Sequence, residues 1–142
     1  MGMRYRVVAV GGTRMKSAAL RAACDDYLSR IRHYAKIEER EVKEARVPLP
    51  EDSRLIALAR AGDAWTSEQL AELTAQWERD ARDVTFIIGG ADGLAEEILR
   101  RSERIWSLGP LTLPHELARV IVYEQLYRAY TIRRGEPYHR GS

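Results

Sequence analysis

The sequence has few of the features that tie a chain to a disulfide scaffold, a membrane or a cysteine-bound metal. Cys24 is the single cysteine among 142 residues, which excludes an intrachain disulfide and a cysteine-based zinc site. No apolar run approaches the roughly 20 residues of a membrane span, and no signal peptide is visible at the amino terminus. We therefore expect a cytoplasmic chain without a membrane partner.

Several catalytic signatures are also missing. The sequence contains no Walker loop, no His-Glu-x-x-His pair and no G-x-S-x-G elbow. Its glycine segment 89–93 does not follow the first predicted strand and is not the G-x-G-x-x-G dinucleotide pattern. These absences argue against a nicotinamide enzyme, a nucleoside triphosphate enzyme, a serine nucleophile and a metal site.

Strand-like segments alternate with helix-like segments along the whole chain. We predict strands over residues 5–10, 36–42, 54–59, 84–88 and 104–108, and helices over 17–31, from the N-cap Thr66 to about 79, over 95–101 and from Pro114 onward. The alternation predicts one α/β domain over residues 1–142, with a mostly parallel sheet flanked by helices. By the general rule it would be unknotted.

More specific structural predictions can be made for several of these segments. Gln69 follows Thr66 by three residues, which predicts a capping box. Segment 36–42 is charged and is expected at a sheet edge, and segment 61–65 is expected to be the exit loop of the third strand. The last helix has an apolar stripe wider than one core-facing side needs, which indicates a partner subunit.

Two glycine-bearing segments follow predicted strands, at 89–93 and within 106–115. Because parallel strands end at one edge of a sheet, these loops are expected to form the walls of one small-molecule site. The alternative for 89–93 is a tight turn without a ligand, and the residues alone leave it open.

The carboxyl-terminal end is locally basic, although the net charge of +2 indicates nothing about nucleic acid by itself. Residues 128–140 hold four arginines and one glutamate. Tyr138, His139 and Arg140 combine an aromatic ring, an imidazole and a cation, which suits an unstacked RNA base, and Arg133 and Arg134 suit phosphates. A frayed tail is the open alternative.

Taken together, these motifs resemble one family. Segments 87–94 (IIGGADGL), 106–115 (WSLGPLTLPH), 119–120 (RV), 124–129 (EQLYRA) and 137–140 (PYHR), with the start 7–11 (VVAVG), resemble the RlmH family of SPOUT-class methyltransferases over nearly the whole chain. The resemblance implies a SPOUT-type α/β fold with a carboxyl-terminal trefoil knot, which overrides the unknotted default, and a homodimer. It further implies methylation by S-adenosylmethionine of N3 of a pseudouridine in large-subunit ribosomal RNA, on the assembled ribosome.

The resemblance also assigns roles to residues of this chain. It implies cofactor contacts at Leu58, Gly90, Gly109, Pro110, Leu111, Thr112, Leu113 and Pro114. For the RNA side our hypothesis is that His139 accepts the proton of the target nitrogen and that Tyr138 stacks on or orients the base. Arg140 would stabilise the developing charge or bind phosphate. Arg119 would contact RNA or brace the site. The cofactor loops of one subunit would meet the tail of the other.

The chain departs from the family pattern in one region. Connection 43–53 is shorter than expected, and segment 60–64 lacks the usual proline-containing form, which makes Leu58 less secure as a cofactor contact. Two rival functions remain at this point: a SPOUT methyltransferase acting on transfer RNA, and a non-catalytic RNA- or ribosome-binding dimer.

Overall fold

The computed structural model describes residues 2–11, 14–43, 49–90 and 93–139, without the side chain of His139. Within these ranges the strands are β1 (Arg4–Val10), β2 (Lys36–Val42), β3 (Arg54–Ala64), β4 (Val84–Ile88) and β5 (Arg104–Ser107). The helices are α1 (Ala18–Ile31), α2 (Ser67–Asp80), α3 (Glu96–Arg101) and α4 (His115–Arg134), followed by a short 3-10 helix (Pro137–His139).

All five strands are parallel and lie in the order β2-β1-β4-β3-β5. The predicted α/β class with a parallel sheet is therefore confirmed. The prediction that the charged segment 36–42 is an edge strand is also confirmed, because β2 pairs only with β1 among the described strands. The opposite edge is β5.

The two faces of the sheet are covered unequally. On one face Tyr5, Phe86 and Trp106 belong to the main core, which includes residues of α1, α2 and α4. On the other face Val8 joins a smaller cluster with Ile98 of α3. The second half of β1 and all of β4 are buried on both faces, which explains why residues 7–10 and 86–88 are continuous apolar runs rather than alternating ones.

Helix α4 packs against both α1 and α2 on the larger face. Val122, Tyr123, Leu126 and Tyr130 are buried there within the chain. Much of the wide apolar stripe that indicated a partner subunit thus has a partner in the same chain. The large apolar side chain that remains prominently exposed among the described residues is Leu111, just before α4.

Strand β3 is longer than the sequence predicted. The prediction that segment 61–65 is an exit loop is wrong, since β3 continues to Ala64. Its register against β5 shifts between Leu58 and Asp63, so residues 59–62 bulge out of the ladder. Gly62 allows this bulge, because a Cβ there would lie 2.3 Å from the carbonyl oxygen of Ile105.

The predicted capping box at the start of α2 is confirmed. The Thr66 hydroxyl accepts a hydrogen bond from the Gln69 amide at 3.0 Å, and the Gln69 side chain accepts one from the Thr66 amide at 2.8 Å. Two backbone donors at the helix start are satisfied in this way. The cap fixes the point at which the chain leaves β3 and enters α2.

The described part of the chain contains no helix that is long and apolar enough to cross a membrane. Within the same residues no three histidine, cysteine, aspartate or glutamate side chains come together as a metal site. Cys24 is fully buried in α1, and burial raises the pKa of its thiol to about 11. It is a packing residue of the main core.

Candidate cofactor and RNA site

The carboxyl ends of β1 and β4 approach each other closely at Gly90. A Cβ at Gly90 would lie 3.2 Å from the carbonyl oxygen of Val10 and 3.4 Å from that of Gly11. Because β1 and β4 are neighbours in the sheet, this contact lies where ligands bind in open parallel sheets. The sequence predicted a second wall from segment 106–115 after β5, and it did not predict this approach of β4 to β1.

The loop after β4 is also a tight turn. The Gly93 amide donates a hydrogen bond to the Gly90 carbonyl at 3.0 Å, and Gly93 has a φ of +73°. A Cβ at Gly89 would lie 2.6 Å from the carbonyl carbon of Gly93. The turn therefore explains Gly89 and Gly93, whereas Gly90 is explained by the approach to β1.

The segment after β5 presents backbone and apolar side chains to solvent. The Ser107 hydroxyl accepts a hydrogen bond from the Gly109 amide at 3.1 Å, so Ser107 organises this turn, as a strand-end residue would. Gly109 has a φ of +118°, and no atom lies within 4 Å of the position of its Cβ. Leu111 is 73% exposed. Loop 109–114 thus has open space beside it and an apolar side chain without a core contact.

The bulge of β3 is joined to this loop. The Arg60 guanidinium donates a hydrogen bond to the Thr112 hydroxyl at 2.8 Å. Leu58 begins the bulge, is half-buried and pairs across the ladder with Trp106. The Trp106 ring stacks on Trp65, with ring centroids 5.1 Å apart. The predicted contact residues Leu58, Gly90 and 109–114 all follow or end strands at the same edge of the sheet.

Glu116 anchors the start of α4 to the connection between β1 and α1. Its carboxylate accepts hydrogen bonds from the amides of Lys16 at 2.9 Å and Ser17 at 3.1 Å. These two hydrogen bonds lower the pKa of the Glu116 carboxyl. Sequence reasoning missed this residue, because a glutamate in the first turn of a helix is common and gives no signal of a partner 99 or 100 residues away.

Arg119 is 1% exposed and lies between two carboxylates of β2. Its guanidinium nitrogens are 2.7 Å from the carboxylate oxygens of Glu39 and of Glu41. Glu39 also accepts a hydrogen bond from the Tyr123 hydroxyl, and Glu41 accepts one from the Met15 amide. Of the two roles predicted for Arg119, this placement favours bracing over RNA contact, because its charge is already engaged inside the fold.

Tyr138 folds back onto the middle of α4. Its hydroxyl donates a hydrogen bond to Glu124 at 3.0 Å and shares another with the Tyr27 hydroxyl at 3.1 Å. The Arg128 guanidinium lies over its ring, 5.1 Å from the centroid. Partial burial, followed by these two hydrogen bonds, raises the pKa of the Tyr138 phenol. The side chain of His139 and all of Arg140, both predicted to be catalytic, lie outside the described residues.

Tyr138 is held near the middle of α4 and not at its start. Glu124, which binds Tyr138, lies about 14 Å along the helix axis from His115 at 1.5 Å per residue. Arg133 and Arg134 are farther still, in the last turn of α4. Arg133 is held by a bidentate ion pair with Glu78, with both distances 2.9 Å. Among the described residues, Tyr138, Arg133 and Arg134 therefore lie toward the middle and end of α4, whereas loop 109–114 precedes its start.

Comparison with known proteins shows which family the chain matches. Residues 3–139 match the family model described as Predicted SPOUT methyltransferase. A relative from Anaeromyxobacter sp., named Ribosomal RNA large subunit methyltransferase H, is 43% identical and is covered in full by 97% of this chain. Relatives of the same name from Polynucleobacter asymbioticus and Chromohalobacter salexigens are 40% and 41% identical, with 97% of this chain and 99–100% of theirs aligned.

Solved structures agree on the fold. A probable methylase family protein from Haemophilus influenzae has a TM-score of 0.61 at 11% identity, covering 98% of this chain and 71% of its own. A probable methyltransferase from Bordetella pertussis has a TM-score of 0.56 at 14% identity, with coverages of 89% and 94%. Family model, relatives and fold define a SPOUT-type methyltransferase. The chain belongs to the SPOUT methyltransferase family, and its curated relatives there carry the name ribosomal RNA large subunit methyltransferase H.

Proposed function

We propose that the protein is an S-adenosylmethionine-dependent methyltransferase that modifies N3 of a pseudouridine in large-subunit ribosomal RNA. The observation that carries this proposal is the close contact of Gly90 with the end of β1, at the edge of the sheet where parallel α/β proteins bind ligands. The chain that makes this contact is 43% identical to a ribosomal RNA large subunit methyltransferase H, over the full length of that relative. We further propose the assembled ribosome as substrate and the cytoplasm as location.

The residues at the strand ends fit the cofactor. S-adenosylmethionine, when bound, supplies a methyl group activated on a sulfonium. Loop 109–114 would hold its adenine and ribose through backbone N–H and C=O groups, with Leu111 offering an apolar wall. Gly90 and Gly109 would let a ligand reach the backbone, since Gly109 has open space where a Cβ would be. Leu58 would add an apolar contact at the β3 bulge.

The chain's own groups then position the base and handle one proton. His139 has the side chain whose ordinary pKa best suits it to accept the N3 proton. Arg140 would stabilise the negative charge that develops on a carbonyl oxygen of the base, and Tyr138 would orient the ring. Because the methyl group arrives activated, most of the catalytic effect is expected from this positioning.

A complete site requires two chains in this proposal. In the described structure Tyr138 is bound near the middle of α4, about 14 Å along that helix from its start. In a symmetric homodimer the tail of one subunit would lie against the loops of the other. Leu117 and Ile121 of α4 are half-buried and outside the core cluster, which offers apolar surface for such contact. The carboxyl-terminal trefoil knot and the single domain over 1–142 belong to the same proposal.

The test is transfer of labelled methyl to three acceptors: assembled ribosomes lacking the modification, naked large-subunit RNA and bulk transfer RNA. We expect label in the large-subunit RNA of ribosomes, and no label when the target uridine is left unisomerised. Label in transfer RNA instead would keep the cofactor and change the substrate. A folded dimer that binds no S-adenosylmethionine and transfers no label would contradict the proposal.

A further inference from the structure

A basic surface lies at the amino edge of the sheet, opposite the glycine loops. It consists of Arg32, His33 and Lys36, between α1 and β2, together with Arg134 at the end of α4 and Tyr34 beneath it. We call this set the amino-edge surface. Residues 32–37, with Gly2 and Met3, line an open concavity of about 600 Å³ there. Helix α4 separates it from loop 109–114 by about 30 Å.

The cations of this surface differ from their neighbours in having no acidic partner. Nearby, Arg30 is paired with Asp26 at 3.1 Å, and Arg133 with Glu78. For Arg32, Lys36 and Arg134, by contrast, the described residues provide no carboxylate within 4.0 Å. Arg32, His33, Lys36 and Arg134 are all exposed. Arg100 and Arg101 on α3 also have no carboxylate within 4.0 Å among the described residues, but they do not line this concavity.

Ring contacts and hydrogen bonds fix the positions of Tyr34 and Arg134 in the amino-edge surface. Tyr34 stacks on Tyr130 with ring centroids 5.4 Å apart, and the Arg134 guanidinium lies over the Tyr34 ring, 5.2 Å from its centroid. The Glu136 carboxylate accepts a hydrogen bond from the Tyr34 hydroxyl at 2.8 Å. Backbone hydrogen bonds from the amides of Tyr34 and Ala35 to the carbonyl of Ile31 fix the turn that carries His33.

We propose that the amino-edge surface binds the phosphodiester backbone of ribosomal RNA at a distance from the methylated base. Arg32 and Lys36 would contact phosphates. Arg134, already stacked on a ring, has a guanidinium plane on which an unpaired base can stack. The proposal rests on the proposed function, from which it takes RNA as the partner. Such a surface would increase the affinity of this small chain for a large RNA, because each phosphate contact releases counterions.

The experiment compares two variants that each remove two positive charges. The first is Arg32→Gln with Lys36→Gln. The matched control is Arg100→Gln with Arg101→Gln, in exposed positions of α3 on the opposite face of the sheet. Binding of a 20-nucleotide RNA that lacks the target base is measured by fluorescence anisotropy at several salt concentrations. Lys36→Gln with Arg134→Gln is a second test variant in case Arg32, which caps α1, is needed for folding.

We expect the amino-edge variant to bind RNA several-fold more weakly at low salt, and the slope of log K against log salt to fall by about 1 to 2. The control should keep the wild-type slope. Equal weakening in both variants, or in neither, would overturn the proposal. So would unchanged RNA binding combined with a raised KM for ribosomes, which would indicate an acidic protein partner. Because binding is read without methyl transfer, a wild type that binds RNA but transfers no methyl group fails only the proposed function.

Discussion

Arg119 and Glu41 form an ion pair of 2.7 Å across 78 residues of sequence, and it joins the first turns of α4 to the edge strand β2. Glu41 also accepts a hydrogen bond from the Met15 amide, and Glu116 on α4 holds the next two amides, those of Lys16 and Ser17. The connection between β1 and α1 is thus fastened to the helix that follows loop 109–114. The contacts of Arg119, Glu41 and Glu116 therefore hold the start of α4, next to the candidate cofactor site, against β2 and the β1–α1 connection.

Replacing Arg119 by methionine is expected to lower the free energy of unfolding by about 3 kcal/mol, because it leaves two carboxylates without their buried partner. The figure is at the low end for buried pairs, since the Glu41 side chain is 24% exposed. Urea unfolding followed by circular dichroism measures it. An exposed control, Arg100→Met, should change stability little.

A double-mutant cycle separates the pair from general effects of the substitution. Adding Glu41→Gln to Arg119→Met should cost much less than the sum of the two single changes, with a coupling energy of about 1 to 3 kcal/mol. Additive losses would show that Arg119 stabilises the fold by packing alone and that its ion pair with Glu41 contributes nothing.

The same cluster predicts acid sensitivity. Burial would raise the pKa of Glu39, but hydrogen bonds from Arg21, Tyr123 and Arg119 outweigh it and hold the pKa below its usual value. The stability from Glu39 is therefore complete above the unfolded pKa of about 4.3 and is lost as the pH falls through the lower folded value. Urea unfolding at pH 6, 4 and 3 should show this loss, and Glu39→Gln should make it shallower.

The matched control for this pH series is Glu72→Gln, an exposed position on α2. Glu78 contributes in the same direction, because hydrogen bonds from Arg133 lower its pKa despite partial burial. Some acid sensitivity is therefore expected to remain in Glu39→Gln. An identical pH profile in wild type and Glu39→Gln would mean that the Glu39 carboxylate gains nothing from folding.

The sequence predicted the elements whose cause is local. The capping box of Thr66 and Gln69 depends on residues three apart. Strands β1 and β4 contain the apolar runs 7–10 and 86–88, which are buried. The parallel edge strand β2 was recognisable from its charge. Its role was not, because Glu39 and Glu41 look solvated in sequence, and their ion pairs depend on Arg119 approaching from a distant helix.

Two further features depended on contacts that periodicity cannot detect. The extension of β3 to Ala64 requires a bulge, which is possible only because Gly62 fits against the backbone of Ile105. The position of Tyr138 depends on the tail turning back along α4, where Glu124 and Tyr27 bind its hydroxyl. The residues of the candidate site were identified from family resemblance, whereas the partners that hold Tyr138 follow from tertiary structure.

Gly90→Ala tests the approach of β4 to β1. The added methyl would lie 3.2 Å from the Val10 carbonyl, so the loop must shift by a few tenths of an ångström. We expect S-adenosylmethionine binding, measured by calorimetry, to weaken by about tenfold, or ~1.4 kcal/mol. Gly2→Ala is the matched control, because a Cβ there meets nothing within 4 Å. Unchanged affinity in Gly90→Ala would remove this loop from the cofactor site.

The shared site across a dimer is tested by complementation. One variant carries Gly90→Val, which blocks the loop, and the other carries His139→Ala with Arg140→Ala, which removes the proposed catalytic groups of the tail. Each homodimer is expected to be nearly inactive. A heterodimer isolated through two different tags should recover about half of wild-type methyl transfer, because one of its two composite sites has an intact loop and an intact tail.

The result distinguishes the two ways in which the tail can act. If each tail served the loops of its own chain, every site in the heterodimer would carry one of the two lesions, and no activity would return. Tyr138 is held within its own subunit by Glu124 and Tyr27, so the groups that follow it start from a fixed point. Tyr138→Phe in the intact-tail chain should then lower the recovered activity, because the ring stays but both hydrogen bonds that place the tail are lost.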